Sequence, residues 1–138
     1  MKPPRLLIVD DNAMNVTIAE VVLRADGFEV DSAADAVDAR QRVATFLPDL
    51  ILMDIQMPVV DGVMLTREFK ANPATRHIVI IAFTSFAMRG DEAKLRAAGC
   101  DGYLSKPIEV KKFAAQVRDC LSTARSTARP SGLSDSPP

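Results

Sequence analysis

The chain has 138 residues, 25% of them charged and 48% apolar, with a formal net charge of −1. That length suggests one domain, and the near-neutral balance offers no electrostatic case for nucleic acid or an anionic membrane surface. No apolar run approaches the roughly 20 residues of a membrane span. The N-terminus lacks a signal-peptide core, and Cys100, Cys120 and the single His77 fit no metal spacing. A cytoplasmic protein with reduced thiols is expected.

In chain order, residues 6–9 form a continuous apolar run ending in Asp10-Asp11-Asn12. Such a run, without polar alternation, predicts a strand buried on both faces. Residues 13–25 carry Val16, Ala19, Val22 and Leu23 at helical spacing, and Gly27 closes that helix. Residues 28–32 alternate weakly, predicting a short edge strand. A second helix is expected over 34–46, with Val37, Val43 and Phe46 inward and Pro48 as its stop.

Residues 50–53 are again continuously apolar, and Asp54 follows at once. Pro58 and Gly62 punctuate the loop behind it. A third helix is expected over 63–70, ended by Asn72-Pro73. Residues 78–83 make a strand rich in β-branched residues, ending at Thr84-Ser85. A fourth helix over 91–98 is closed by Gly99. Tyr103-Leu104 is a short strand running into Ser105-Lys106-Pro107, and a last helix over 109–121 sets Val110, Phe113, Val117 and Leu121 on one side. The remainder is rich in Ser, Thr, Ala and Pro and has little to bury. Residues 1–122 are therefore expected to fold as one domain, and 123–138 to form a disordered tail.

Five strands alternating with five helices predict an α/β fold, a doubly wound parallel sheet of flavodoxin-like order 2-1-3-4-5. Ligands of such sheets bind outside the carboxyl ends of the strands. The order gathers Asp10, Asp11, Asp54, Thr84 and Lys106 at that one edge. Crowded carboxylates repel, and a divalent cation removes the repulsion. All-oxygen ligands favour Mg2+. One carboxylate can then attack phosphorus, while the cation, the Lys106 ammonium and the Thr84 hydroxyl neutralise the phosphoryl oxygens. Taken singly, these residues have blander readings: Asp10 and Asp11 as helix caps, Thr84 as a strand-end hydroxyl, Lys106 as a solvated lysine, Tyr103 as packing.

Over residues 5–121 the sequence resembles the receiver domain of two-component response regulators. The matching features are Asp10-Asp11, Asp54, Pro58 with Asp61-Gly62, Thr84-Ser85 and Lys106-Pro107. The segments 86–91 and 99–108 are similar to DivK-type single-domain regulators and to receiver modules of hybrid histidine kinases. The resemblance implies Asp54 as phospho-acceptor. It implies Mg2+ held by Asp11, Asp54 and the Gln56 backbone carbonyl, with Asp10 acting through a metal-bound water. Thr84 and Lys106 would hold phosphoryl oxygens, Thr84 and Tyr103 would form a switch, and Lys106-Pro107 would be cis. Gln56 and Phe86 stand where the family tunes water access, and Ser85 replaces a commoner Ala.

The resulting expectation is a single-domain regulator, not an enzyme beyond its own phosphorylation and dephosphorylation. Its partners would be a histidine kinase or histidine phosphotransfer protein, and a downstream protein docking on the face of helix 4, strand 5 and helix 5. Neither nucleic acid nor membrane is implied, and a monomer or weak dimer is expected. Alternatives are a phosphate-shuttling receiver module of a hybrid-kinase relay and a phosphorylation-independent interaction module. A haloacid-dehalogenase-type phosphatase needs Asp-x-Asp, and position 56 is Gln. A nucleotide- or flavin-binding domain needs a Gly-rich or hydroxyl-rich loop where Asp10-Asp11-Asn12 stands.

Overall fold

The computed structural model of the chain describes residues 3–55, 61–84 and 89–128, and their side chains apart from those of 89–92 and 125–128. The elements are β1 (Arg5–Val9), α1 (Ala13–Ala25), β2 (Glu29–Ala33), α2 (Ala36–Phe46), β3 (Leu50–Asp54), α3 (Gly62–Ala71), β4 (Val79–Thr84), α4 (Arg89–Ala98), β5 (Gly102–Ser105) and α5 (Val110–Ala128). The strands form one parallel sheet in the order β2-β1-β3-β4-β5. This is the flavodoxin-like arrangement expected from the alternation of strand and helix patterns.

Successive strand side chains point to opposite faces, so the continuous apolar runs feed two cores. Leu7, Val9, Ile51, Met53, Ile80 and Ala82 pack with α2, α3 and α4 residues such as Val43, Leu65 and Leu95. Leu6, Ile8, Leu50, Leu52, Val79, Ile81 and Phe83 pack instead with Ala19 and Leu23 of α1 and Phe113, Val117 and Leu121 of α5. Every residue of β3 and β4 is buried. At roughly 1.5–3 kcal/mol per buried large aliphatic side chain, these two strands anchor the sheet, and their ends are correspondingly fixed.

Helix ends follow local chemistry. Asn12, Asp35 and Asp61 cap α1, α2 and α3, each accepting the backbone N–H three residues on. Gly27 and Gly99 sit at φ 95° and 110° and close α1 and α4 by paired reverse bonds. Gly27 and Phe28 donate to Arg24 and Leu23; Gly99 and Cys100 donate to Arg96 and Leu95. α2 ends differently: Leu47 takes the left-handed conformation at φ 55°, which costs a branched residue roughly 1–2 kcal/mol.

Three expectations need correction. Val37 is 62% exposed, and Ala36, Ala39 and Val43 form the inner face of α2 instead. The stripe 36-39-43 satisfies the helical period one residue off Val37. Val110 is 61% exposed, on the first turn of α5 where its stripe begins. α5 also runs on to Ala128 rather than stopping at Leu121. No Gly or Pro interrupts 122–128, and Ala124 packs against the core, so helix propagation continues. Residues 129–138 lie outside the described residues.

Candidate functional site

The site lies at the carboxyl edge of β1, β3, β4 and β5. Asp10 continues the alternation of Leu6 and Ile8, and Asp54 that of Leu50 and Leu52, so both turn toward the α1/α5 side. Phe83, paired with Asp54 in the β3–β4 register, lies beneath them. Asp10 and Asp54 are almost fully buried, at 2% and 4% exposure, whereas Asp11 is exposed. Oxygens of the three carboxylates come within 4.8 Å of one another.

Lys106, just beyond β5, swings its ammonium over this group. Nζ lies 3.1 Å from Asp10 Oδ2, 3.5 Å from Asp54 Oδ1 and 5.2 Å from the Phe83 ring centre. The ring in turn packs on Phe113, 5.7 Å between centroids. The following Lys106-Pro107 bond is cis, and the Lys106 N–H donates to the Thr84 carbonyl at 2.9 Å. Lys106 is therefore no solvated surface lysine: its side chain is 14% exposed and its backbone is tied to β4.

The capping alternative for the paired aspartates fails. Asn12 caps α1, and Asp10 instead turns Oδ1 to the Asn12 N–H at 2.8 Å. Its other oxygen, Oδ2, is buried and makes no hydrogen bond among the described residues, although the ammonium lies beside it. Among the described residues, these three carboxylates gather around the one ammonium of Lys106, an acidic donor set. A buried, under-coordinated carboxylate oxygen in such an all-oxygen donor set fits a hard divalent cation such as Mg2+.

Thr84 is buried at 3% exposure and ends β4, in the alternation of Ile80 and Ala82. Tyr103 pairs with Ala82, and Ser105 with Thr84, so Thr84 and Tyr103 are diagonal neighbours on one face. Tyr103 is half-buried there against the α2/α3/α4 core. Gln56, Pro58, Ser85 and Phe86 fall outside the described residues.

Two residues matter more here than their sequence patterns suggested. Gly62 reads as loop punctuation, yet it opens α3 with its N–H on the Ile55 carbonyl. A Cβ placed on it would lie 2.2 Å from the Asp54 carbonyl oxygen. Phe83 reads as one more core aromatic, and only the strand register reveals it as the floor under Lys106. The Asp61-Gly62 pair was a signal for the first; nothing in the sequence singles out the second.

The profile of the response regulator receiver domain matches residues 6–118. The chain belongs to the response regulator receiver family. The polar-differentiation response regulator DivK of Brucella anthropi is 39% identical over 122 residues, 88% of this chain and 99% of that one. The receiver domain of a sensor histidine kinase from Pseudomonas aeruginosa, with a magnesium ion coordinated in its active site cleft, superposes with a TM-score of 0.77. It is 34% identical and covers 87% of this chain and 98% of its own. A chemotaxis protein of Vibrio cholerae, 23% identical, shares the fold with a TM-score of 0.81 over 86% of this chain and 98% of its own. As a two-component receiver, the chain carries its acidic cluster at a position suited to Mg2+. No helix among the described residues is long and apolar enough to cross a membrane.

Proposed function

We propose that this receiver is a single-domain response regulator that accepts a phosphoryl group on Asp54 and uses it to switch protein contacts. The observation that carries the reading is the convergence of Asp10, Asp11 and Asp54 within 4.8 Å, with the Lys106 ammonium 3.5 Å from Asp54. The donor is a histidine kinase or a histidine phosphotransfer protein, and the setting is cytoplasmic. The likeness to DivK over 99% of that relative's length supports the single-domain assignment.

In the transfer, an Asp54 carboxylate oxygen forms a bond to phosphorus as the bond from phosphorus to the donor imidazole nitrogen breaks. The leaving imidazole takes its proton from solvent. Asp11, Asp54 and the Gln56 backbone carbonyl would hold Mg2+, with Asp10 acting through a water; the ion supplies positive charge against the phosphoryl oxygens. Lys106 exchanges its contact with Asp54 for a phosphoryl oxygen, and Thr84 contributes its hydroxyl. Beneath the ammonium, the Phe83 face adds a weak attraction that keeps it aimed at the site.

The new aspartyl phosphate is a dense negative charge with strong acceptors. It draws the Thr84 hydroxyl toward it by a charge-assisted hydrogen bond. Space opens on the shared face, and the Tyr103 ring, opposite the small Ala82, turns inward to fill it. A cleft of about 480 Å³ lined by Tyr103, Pro107, Phe113 and Gln116 joins that ring to α5. The α4–β5–α5 face is accordingly the surface where the downstream protein docks, and phosphorylation biases an equilibrium between two forms of it.

The deciding experiment is phosphotransfer from the histidine kinases of the source organism to the wild type and to Asp54→Asn. Stoichiometric labelling of Asp54→Asn would overturn the assignment. The likeness to the receiver of a sensor kinase favours a second reading, phosphate shuttling within a relay. Onward transfer to a second histidine phosphotransfer protein, without any gain in target affinity, would select it.

A further inference from the structure

At the sheet edge opposite Asp54, α2 and α3 flank a cleft of about 510 Å³, within the size range of small-ligand sites. Its floor is apolar, made by Val43, Leu47, Phe69 and Ile78. Leu47 is the unusual member. Where α1 and α4 close with glycine, α2 closes with this leucine in the left-handed conformation, φ 55°, and leaves it 65% exposed. The chain thus accepts backbone strain without burying the side chain that causes it. Strain of this kind concentrates at functional sites.

The rim is rich in donors. Arg40 and Glu68 pair across the mouth by two bonds of 2.7 and 2.8 Å, which gives each carboxylate oxygen a charged donor. Those bonds use Nε and Nη2, so the guanidinium has its Nη1 donors still to offer. Asn72 accepts the Ala74 N–H through Oδ1, which leaves its amide NH2 to donate. The exposed His77 adds a ring N–H. An apolar floor beneath a donor-rich rim, whose one carboxylate is already neutralised, is complementary to an apolar body ending in an anion.

We propose that this cleft is a binding site for a small apolar carboxylic acid. A chain of about eight carbons lies along Leu47, Val43, Phe69 and Ile78, a length the volume admits. The carboxylate accepts hydrogen bonds from Arg40, Asn72 and His77. The site is independent of phosphorylation chemistry, because none of these residues belongs to the acidic cluster.

The test is a titration of the isotope-labelled full chain with octanoate, read by amide chemical shifts, with octylamine as the probe of opposite head charge. Octanoate should give saturating shifts centred on Val43, Ala44, Leu47 and His77, with a dissociation constant on the order of 1 mM for a ligand of this size. Octylamine should bind at least about tenfold more weakly, since the one rim carboxylate, Glu68, is already engaged by Arg40. Leu47→Gly should melt at a higher temperature by relieving the strained backbone, yet lose several-fold in octanoate affinity. Arg40→Gln should lose affinity for octanoate with the fold intact. The proposal is overturned if octanoate shifts do not saturate by about 20 mM. It is equally overturned if octylamine binds as tightly, or if both variants keep the wild-type octanoate affinity.

Discussion

Gly62 faces the backbone of Asp54 so closely that a Cβ on it would lie 2.2 Å from the Asp54 carbonyl oxygen and 2.9 Å from its carbonyl carbon. The obstacle is main chain at the end of a fully buried strand, and it cannot step aside as a flexible side chain can. Gly62→Ala should therefore displace either the start of α3 or the end of β3. A loss of about 1–3 kcal/mol is expected, the usual cost of overpacking, with slower phosphorylation of Asp54. Urea denaturation together with labelling by a small phosphodonor checks both effects. Wild-type values for both would show that the α3 start yields freely.

Asp54→Asn should abolish labelling and leave stability unchanged or raised when Mg2+ is absent. The substitution keeps the shape and removes one carboxylate from a group in which, among the described residues, three carboxylates face one ammonium. Lys106 retains Asp10, 3.1 Å away. The measurement is thermal unfolding in a chelator. A clear drop in melting temperature would mean that the Lys106–Asp54 contact, at 3.5 Å, outweighs the repulsion.

Much of this was legible in advance, for identifiable reasons. Residues 6–9 and 50–53 are apolar without alternation because helices cover both faces of the sheet, and that pattern alone predicts central parallel strands. Asp10, Asp54 and Lys106 stand out because a charge directly after such a strand has no packing role. What could not be read depends on distances between distant segments. The 2.2 Å approach of Gly62 to Asp54 and the placement of Phe83 under Lys106 arise only once register is set. Leu47 could not be foreseen either: nothing in Phe46-Leu47-Pro48 says that a leucine, not a glycine, adopts the left-handed cap. Val37 was misplaced because Ala36 and Ala39 carry too little hydrophobic signal to compete with a valine.

The Arg40–Glu68 pair makes a pH prediction. The Arg40 hydrogen bond, aided by its charge, holds the Glu68 carboxyl below its ordinary value of 4.5 against a smaller opposing effect of burial. The unfolded chain thus takes up this proton at a higher pH than the folded one. The contribution is fully present above about pH 4.5 and is lost as pH falls through the lowered folded value. Both side chains are more than a third exposed, so screening limits the contribution to roughly 0.5 kcal/mol. The urea midpoint of the wild type should exceed that of Glu68→Gln slightly at neutral pH, and the gap should close once pH has fallen below the lowered folded value. A gap that persists there would assign the difference to packing.

Thr84→Ala should still accept phosphate, though more slowly, and should couple it poorly to target binding. Thr84 and Tyr103 share one face of the sheet, so losing the hydroxyl removes the group whose movement would make room for the ring. Amide shifts along α4, β5 and α5 with beryllofluoride, together with target affinity, give the readout. A full affinity gain in Thr84→Ala would show that the signal leaves by another route.

Lys106→Ala tests the electrostatics of the site apart from its chemistry. In the wild type the ammonium is the only positive side-chain group that the described residues place against Asp10 and Asp54. Its removal takes from two nearly buried carboxylates the cation that the described residues set beside them. Breaking a buried ion pair by deleting one partner typically costs about 3–5 kcal/mol. A loss at the lower end of that range is expected here, because the nearby Asp11 is exposed and water reaches the rim. Removing an ordinary packing lysine would behave differently on addition of Mg2+. Here a divalent cation can replace the missing charge, so Mg2+ should restore much of the stability of Lys106→Ala and stabilise the wild type less. Phosphorylation should stay impaired even at saturating Mg2+, since the phosphoryl oxygen that Lys106 would meet still lacks its partner. Chemical denaturation of both proteins, with Mg2+ and with chelator, separates the two effects. Equal Mg2+ stabilisation of wild type and variant would mean that Lys106 and the cation do not compensate the same carboxylates.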